Sequence, residues 1–315
     1  MSFTRSKRRA TLTSSDFPIG APIVGAPHFH NFDEDRTMLH ELIFDSTEYA
    51  VPHLVSPGSD QTKLRKSEDN QTEYRVFSVS LSPDDYAETG KSNCSHSVPA
   101  CVRACVGSPS VGMAKAFKSI MESRAKKTIY LQKNRPAFLA QLSKELAKIE
   151  ARNVAEGYAT CVRLNAFSEI RYESAQFGNI PQRHPGILFY DYCADLRRLE
   201  SVRAIPNYHL TGSYKGLHNA DACATALKAG HNIAYVFAQH GPYSGAAAMG
   251  QRIPKRWKIG DDWFECIDGD ETDFRFMDRR QTRSGRGRVV ALRLKSGDLE
   301  GRTEAMASDF VQIID

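Results

Sequence analysis

Long hydrophobic runs are absent from this sequence. In its 315 residues, no apolar stretch approaches the roughly 20 residues that a membrane-spanning helix needs. The basic N-terminus has no apolar run behind it, so no signal peptide is expected. A disulfide framework is not expected either, because the seven cysteines are odd in number and no export signal accompanies them. We therefore expect a cytoplasmic protein with reduced thiols and no membrane partner.

Charge of one sign is not in strong excess. The net charge is +5 and the isoelectric point is near 8.8, which is less basic than a dedicated DNA-binding domain usually is. Basic residues cluster in two short segments, which are either phosphate contacts or solvated surface. They are Arg5, Lys7, Arg8 and Arg9, and then Arg279, Arg280, Arg283, Arg286 and Arg288.

Several common catalytic motifs are missing. The sequence contains no P-loop, no dinucleotide-binding glycine fingerprint and no serine nucleophile elbow. It also lacks a paired-histidine nuclease signature, to which His28 and His30 come nearest. None of these enzyme classes is indicated.

Strand and helix patterns alternate through most of the chain. Residues 1–70 are rich in Ser, Thr, Pro and Asp and predict an irregular N-terminal extension. Residues 71–315 predict one α/β barrel-like domain with a mainly parallel sheet, either a partial or closed (β/α) barrel of the TIM type or a doubly wound open sheet. The predicted strands are 74–81, 160–164, 187–192, 208–211, 232–237, 263–267 and 289–294, and the predicted helices are 111–127, 136–152 and 221–229.

Three cysteines lie within twelve residues, in a polar loop between the first predicted strand and the first predicted helix. Cys94, Cys101 and Cys105 have the spacing Cys-x6-Cys-x3-Cys. Thiolates suit zinc or an iron–sulfur cluster, and unliganded thiols are the third possibility. Structural zinc takes four protein ligands, and His96 could be the fourth. The other four cysteines lie in strand or helix patterns and are expected to be small buried side chains.

Three cysteine ligands would leave one iron of a [4Fe–4S] cluster open. The placement of this loop resembles that of radical S-adenosylmethionine enzymes, which bind their cosubstrate at such an iron. The usual spacing in those enzymes is Cys-x3-Cys-x2-Cys with an aromatic residue before the last cysteine, where this sequence has Ala104. The resemblance implies a [4Fe–4S] cluster and S-adenosylmethionine as cofactors, with zinc as the alternative.

Polar residues follow or interrupt several predicted strands. Parallel α/β folds collect function at the carboxyl ends of their strands, so these residues are candidates for one site. The catalytic candidates are Glu169, Asp191, His209 and Asp270, and the cofactor-binding candidates are Asn165, Ser168 and, at the end of the first predicted helix, Lys127. The alternatives are a charged turn around Asp270, a core histidine at position 209 and a solvated helix end at Lys127.

A series of motifs resembles the gene product 88 family of phage and plasmid proteins over residues 75–295. Besides the cysteine cluster, the motifs are RAKKT (124–128), RLNAFSEI (163–170), FYDY (189–192), NYHLT (207–211), IDGD (267–270) and DFRF (273–276). The resemblance implies a phage or mobile-element origin, and hence the cytoplasm of a host cell. It assigns no activity.

The sequence therefore predicts a radical S-adenosylmethionine-like metalloenzyme that acts on an unknown small molecule, a nucleotide or a nucleic acid. The first alternative is a zinc-stabilised nucleic-acid-binding or replication-related protein. The second is a binding module without a metal.

Overall fold

The strands form where β-branched and aromatic residues cluster, because such side chains fit a pleated, buried surface. The structure is a computed structural model that describes residues 49–108, 117–241, 243, 245–279, 282, 284–295 and 299–314. These residues belong to one compact unit, Leu42–Asp315. The strands are β1 (Val55–Pro57), β2 (Tyr74–Val79), β3 (Ala159–Arg163), β4 (Ile187–Cys193), β5 (Tyr208–Ser213), β6 (Ile233–Ala238), β7 (Arg256–Ile259), β8 (Asp262–Asp268), β9 (Val289–Arg293) and β10 (Val311–Ile313).

The α-helices begin and end at residues with clear local reasons. Asn134 caps the start of the helix Arg135–Ala155 by accepting a hydrogen bond from the Ala137 N–H. Gly230 follows the helix Ala220–Lys228 and has a φ of 90°, the left-handed conformation that commonly ends a helix. The helices are α1 (Thr62–Asn70), α2 (Pro99–Arg103), α3 (Lys118–Lys133), α4 (Arg135–Ala155), α5 (Ile180–Arg183), α6 (Arg197–Arg203), α7 (Ala220–Lys228) and α8 (Leu299–Met306).

The strands form one sheet of ten, in the order β1-β2-β3-β4-β5-β6-β9-β8-β7. Strands β2 to β6, β8 and β9 are parallel to their neighbours in this core, while β1 and β7 pair antiparallel at its two edges. The short β10 runs parallel to the last three residues of β6. Within the described ranges β1 and β7 do not pair with each other, so the sheet is open. A mixed α/β fold with a mainly parallel sheet is confirmed, and closure into a barrel is not found.

The sheet has two different faces. The apolar face carries residues such as Phe77, Val162 and Phe189, which pack against α4 through Leu142 and Leu146. The alternate residues of β2 to β5 point to the other side, which we call the polar face. Leu64 of α1 and Phe274 cover this face around Val76 and Cys161. Its polar side chains are Ser78, Ser80, Arg163, Tyr190, Tyr192, His209 and Thr211.

Several elements differ from the sequence prediction. Residues 55–70, assigned to the irregular extension, form β1 and α1, and Leu54 and Leu64 are buried. They were missed because α1 has a single large apolar residue and β1 has only three residues. Residues 1–48, with their basic cluster and both candidate histidines, lie outside the described residues. The predicted helix 111–127 is found as α3 at 118–133, and its first six predicted positions also lie outside them.

Among the described residues, none of the helices combines the length and the apolar character that crossing a membrane requires.

Candidate functional site

The three candidate cysteines lie on a loop that leaves the carboxyl end of β2. This cysteine loop begins at Ser82 and is described to Ser108. Pro99 occupies the first turn of α2, where its fixed φ favours the start of a helix. The helix places Cys101 in its middle, and Cys105 follows two residues after the helix ends, where its N–H donates to the Val102 carbonyl at 3.2 Å.

Contacts from three segments hold the thiols in place. The Lys215 Nζ, which lies just beyond β5, donates a hydrogen bond to the Cys101 Sγ at 3.0 Å. The Cys94 Sγ donates to the Phe167 carbonyl at 3.5 Å, and the Gly107 N–H donates to the Cys105 Sγ at 3.4 Å. The loop is thereby tied to the chain segments that follow β3 and β5.

The three thiols also interact electrostatically. Burial, with a smaller contribution from negative charge on Cys105 and Cys101, raises the pKa of Cys94 to about 12. Burial likewise raises the pKa of Cys105, with Cys101 adding to the effect and Lys215 opposing it. Without a bound metal the Cys94 and Cys105 thiols are therefore protonated at neutral pH, whereas a bound metal would deprotonate the thiols that coordinate it.

The donor set fits a soft metal, but it does not form a finished coordination shell. In the part of the chain that the structure describes, no three His, Cys, Asp or Glu side chains are arranged to hold a metal ion. Lys215 contacts Cys101 directly and interacts electrostatically with Cys94 and Cys105.

Glu169 connects the cysteine loop to two strand ends. Its Oε1 accepts hydrogen bonds from the backbone N–H groups of Ala194 at 2.6 Å and Asp195 at 3.0 Å. Its Oε2 lies 3.7 Å from the Nδ1 of His96. Its own N–H donates to the Asn93 carbonyl at 2.8 Å. The structure thus brings Glu169 and the cysteines together.

Asn165, Ser168 and Asp191 form an internal support for the same region. The Asn165 Oδ1 accepts hydrogen bonds from the Ser168 Oγ and the Ile170 N–H, and its backbone N–H donates to the Asp191 Oδ1 at 2.8 Å. Asp191 also accepts from the Tyr208 hydroxyl at 2.9 Å. Because these polar atoms are used within the protein, they fix the loop after β3 and are not aimed at a ligand.

Asp191 lies on the opposite face of the sheet from His209 and Asp270. Along β4 it alternates with Tyr190 and Tyr192, and its partner Tyr208 belongs to the core of the apolar face. Burial raises the pKa of Asp191 to about 6, although Arg163 and the hydrogen bonds oppose this. The expectation that Asp191 would share a site with the cysteines is therefore wrong in its geometry.

Lys127 and His209 are placed by different contacts. The Lys127 Nζ donates to the Leu54 carbonyl at 3.1 Å and so supports the entry to β1. His209 is the second residue of β5, beside Tyr190 on the polar face, and not at the carboxyl end of the strand. Ala234 of β6 is in register with Ser213 of β5, so Val236 and Ala238 also point to the polar face. Cys101 packs against the apolar cluster that contains these two residues.

A charged cluster completes the polar face. We define it as Lys63, Arg163, Asp270, Asp273 and Lys295. Asp273 is bound by Lys63 at 2.9 Å and by Arg163 at 3.1 Å, and Asp270 is bound by Lys295 at 2.5 Å. Burial raises the pKa of Asp273, but the two neighbouring cations outweigh it and hold the pKa far below its usual range. Only Asp270 of this cluster was identified from the sequence.

Comparison with known proteins gives one match. The family model for gene product 88 matches residues 54–308 of this chain. No curated protein and no solved structure matches it.

Proposed function

The chain belongs to the gene product 88 family, and from the geometry of its cysteine loop we propose that it is a metalloenzyme whose Cys94, Cys101 and Cys105 hold a [4Fe–4S] cluster. The observation that carries the proposal is that Lys215 contacts Cys101 at the carboxyl edge of a parallel sheet, where Cys94 and Cys105 interact electrostatically with both residues. Three thiolates are a soft donor set, and they would leave one iron open to a small molecule.

The surrounding charges suit such a centre. Three thiolates bring three negative charges to a partly buried position, which is costly unless cations lie nearby. Lys215 contacts Cys101 directly, and Arg124 is held near Cys105 by donating to the Gly107 carbonyl at 2.6 Å. These two cations would offset part of the charge.

The position in the fold supports an enzyme in preference to a structural metal site. The carboxyl ends of parallel strands lie along one edge of the sheet, where α/β enzymes place their chemistry. The cysteine loop follows β2 there, Lys215 follows β5, and Asp270 and Lys295 follow β8 and β9. When bound, the cluster would supply one-electron reduction of a cosubstrate such as S-adenosylmethionine. The charged cluster would line the same polar face.

Metal analysis tests the proposal. Protein purified and reconstituted without oxygen should be brown, contain about four irons and four sulfides per chain, and give a cluster signal in electron paramagnetic resonance after reduction. Cys94→Ser, Cys101→Ser and Cys105→Ser should each lose the cluster. Cys223→Ser is the matched control, because Cys223 is a fully buried thiol in α7.

Two results would overturn the proposal. One is a Cys101→Ser protein that keeps its full iron content. The other is a colourless wild-type protein with one tightly bound zinc, which would instead support the zinc-stabilised alternative.

A further inference from the structure

The cations of the charged cluster form the side of it that solvent can reach. The carboxylates of Asp273 and Asp270 are 0% and 1% exposed, whereas the side chains of Lys63, Arg163 and Lys295 are 28%, 17% and 28% exposed. The two carboxylates therefore lie behind the cations and hold them in position. A molecule that approaches along the polar face meets positive charge first.

The cluster also carries an uncompensated positive charge. Neighbouring arginines have carboxylate partners of their own, Arg275 with Asp278 and Arg293 with Asp268. Arg293 also lies 3.3 Å from Asp270, so the whole group has to be counted together. Its five cations, Lys63, Arg163, Lys295, Arg275 and Arg293, meet four carboxylates, Asp268, Asp270, Asp273 and Asp278, which leaves one positive charge.

Buried hydrogen-bond donors without partners lie beside these cations. In the described part of the chain, the hydroxyls of Tyr190, Tyr192 and Thr211 and the Nε of Arg163 have no hydrogen-bond partner. Tyr190 and Thr211 are both 0% exposed. Strand register places Arg163 beside Tyr190 and Tyr192 beside Thr211 on the polar face, and the Arg163 guanidinium lies 5.0 Å from the centre of the Tyr192 ring.

Unpartnered buried polar groups are rare in folded proteins and indicate a missing partner. Lysine and arginine can only donate hydrogen bonds, and both hydroxyl types can donate. A partner that accepts several hydrogen bonds and carries negative charge fits all of these groups and the cations beside them. A divalent cation does not fit, because the nearby carboxylates already bind three cationic side chains.

We propose that the polar face binds a small molecule through an anionic group, a phosphate or a carboxylate, which contacts Lys63, Arg163 and Lys295 together with the hydroxyls of Tyr192 and Thr211. The site rests on these contacts and not on a metal. Its role as the substrate site of the enzyme rests on the proposed function.

Calorimetric titration of the full-length protein tests the proposal with three probes: inorganic phosphate, adenosine monophosphate and acetate. Saturable binding of phosphate or adenosine monophosphate identifies a phosphate site, and binding of acetate alone identifies a carboxylate site. Binding should weaken as salt is added, because the partly exposed cations are screened. The absence of saturable binding for all three probes would overturn the proposal.

Three conservative variants locate the binding site. Lys295→Met, Tyr192→Phe and Thr211→Val should each weaken binding about tenfold or more, because each removes a donor to a charged ligand. The unfolding midpoints of the two hydroxyl variants should not fall, since these hydroxyls have no partner in the protein. Tyr172→Phe is the matched control: it removes an equally buried, unpartnered hydroxyl in the core of the apolar face.

The outcomes separate this proposal from the metal site. Unchanged affinity in all three variants, or an equal loss in Tyr172→Phe, would overturn the anion site. Cys101→Ser protein, tested in parallel, should bind the anion as tightly as the wild type does, even though it is expected to lose the metal.

Discussion

Replacing Asp273 with asparagine should strongly destabilise the fold. The substitution keeps the size of the side chain and removes the charge that Lys63 and Arg163 bind at 2.9 and 3.1 Å. Removing one partner from a buried ion pair costs about 3–5 kcal/mol, because the remaining charge loses its partner where solvent reaches it only in part. Asp270 lies 4.0 Å from Lys63 and compensates in part, so we expect the lower end, about 3 kcal/mol.

Urea unfolding followed by circular dichroism measures this loss. The matched control is Asp262→Asn, since Asp262 also binds two cations, Lys228 at 2.8 Å and Arg286 at 2.7 Å, but at the protein surface. Solvent and salt screen such exposed pairs, so the control should lose much less stability. If Asp273→Asn were as stable as wild type, or lost no more than Asp262→Asn, the argument from burial would be refuted.

Two further predictions concern the support beneath the cysteine loop. Folding raises the pKa of Asp191 to about 6 from an unfolded value of about 4, so the native state binds the extra proton between these values. The free energy of unfolding of wild type, compared with that of Asp191→Asn, should therefore fall as the pH rises from about 4 to about 6 and then level off. Urea unfolding at several pH values measures this difference, and a difference that does not change with pH would contradict the prediction. Glu169→Ala should cost about 2 kcal/mol, because it leaves the N–H groups of Ala194 and Asp195 without their acceptor. Glu169→Ala should also speed proteolysis within the cysteine loop. Glu169→Gln retains one acceptor oxygen and should restore most of the stability and most of the resistance to proteolysis. If both variants lost the same stability and resistance, this hydrogen bonding would not be the cause.

Local sequence patterns determined the main elements of the fold. All seven predicted strands match observed strands within two residues at each end. This succeeded because buried parallel strands are short apolar runs that stand out from their polar flanks. The closeness of Cys101 and Cys105 is also local, since only three residues separate them in the chain.

The edges of the sheet escaped prediction for a physical reason. The outer strand β7 alternates exposed and half-buried residues over only four positions, and β10 has three residues. Such edge strands bury little apolar surface of their own and form because a neighbouring strand offers unpaired backbone groups. Whether the sheet closed or stayed open depended on these edges, so the sequence left both forms open.

The composition of the site was decided by tertiary structure. Lys215 reaches Cys101 across 114 residues of sequence, and Arg163 reaches Asp273 across 110. Asn165 and Asp191 look like ligand-binding residues in sequence, but hydrogen bonds between them make them part of the scaffold. The sequence by itself determined which segments become strands and helices and that three thiols share one loop, because those properties depend on neighbours along the chain. Which charges face each other, and which polar atoms are left for a ligand, depends on contacts between distant segments, and only the folded sheet brings those segments together.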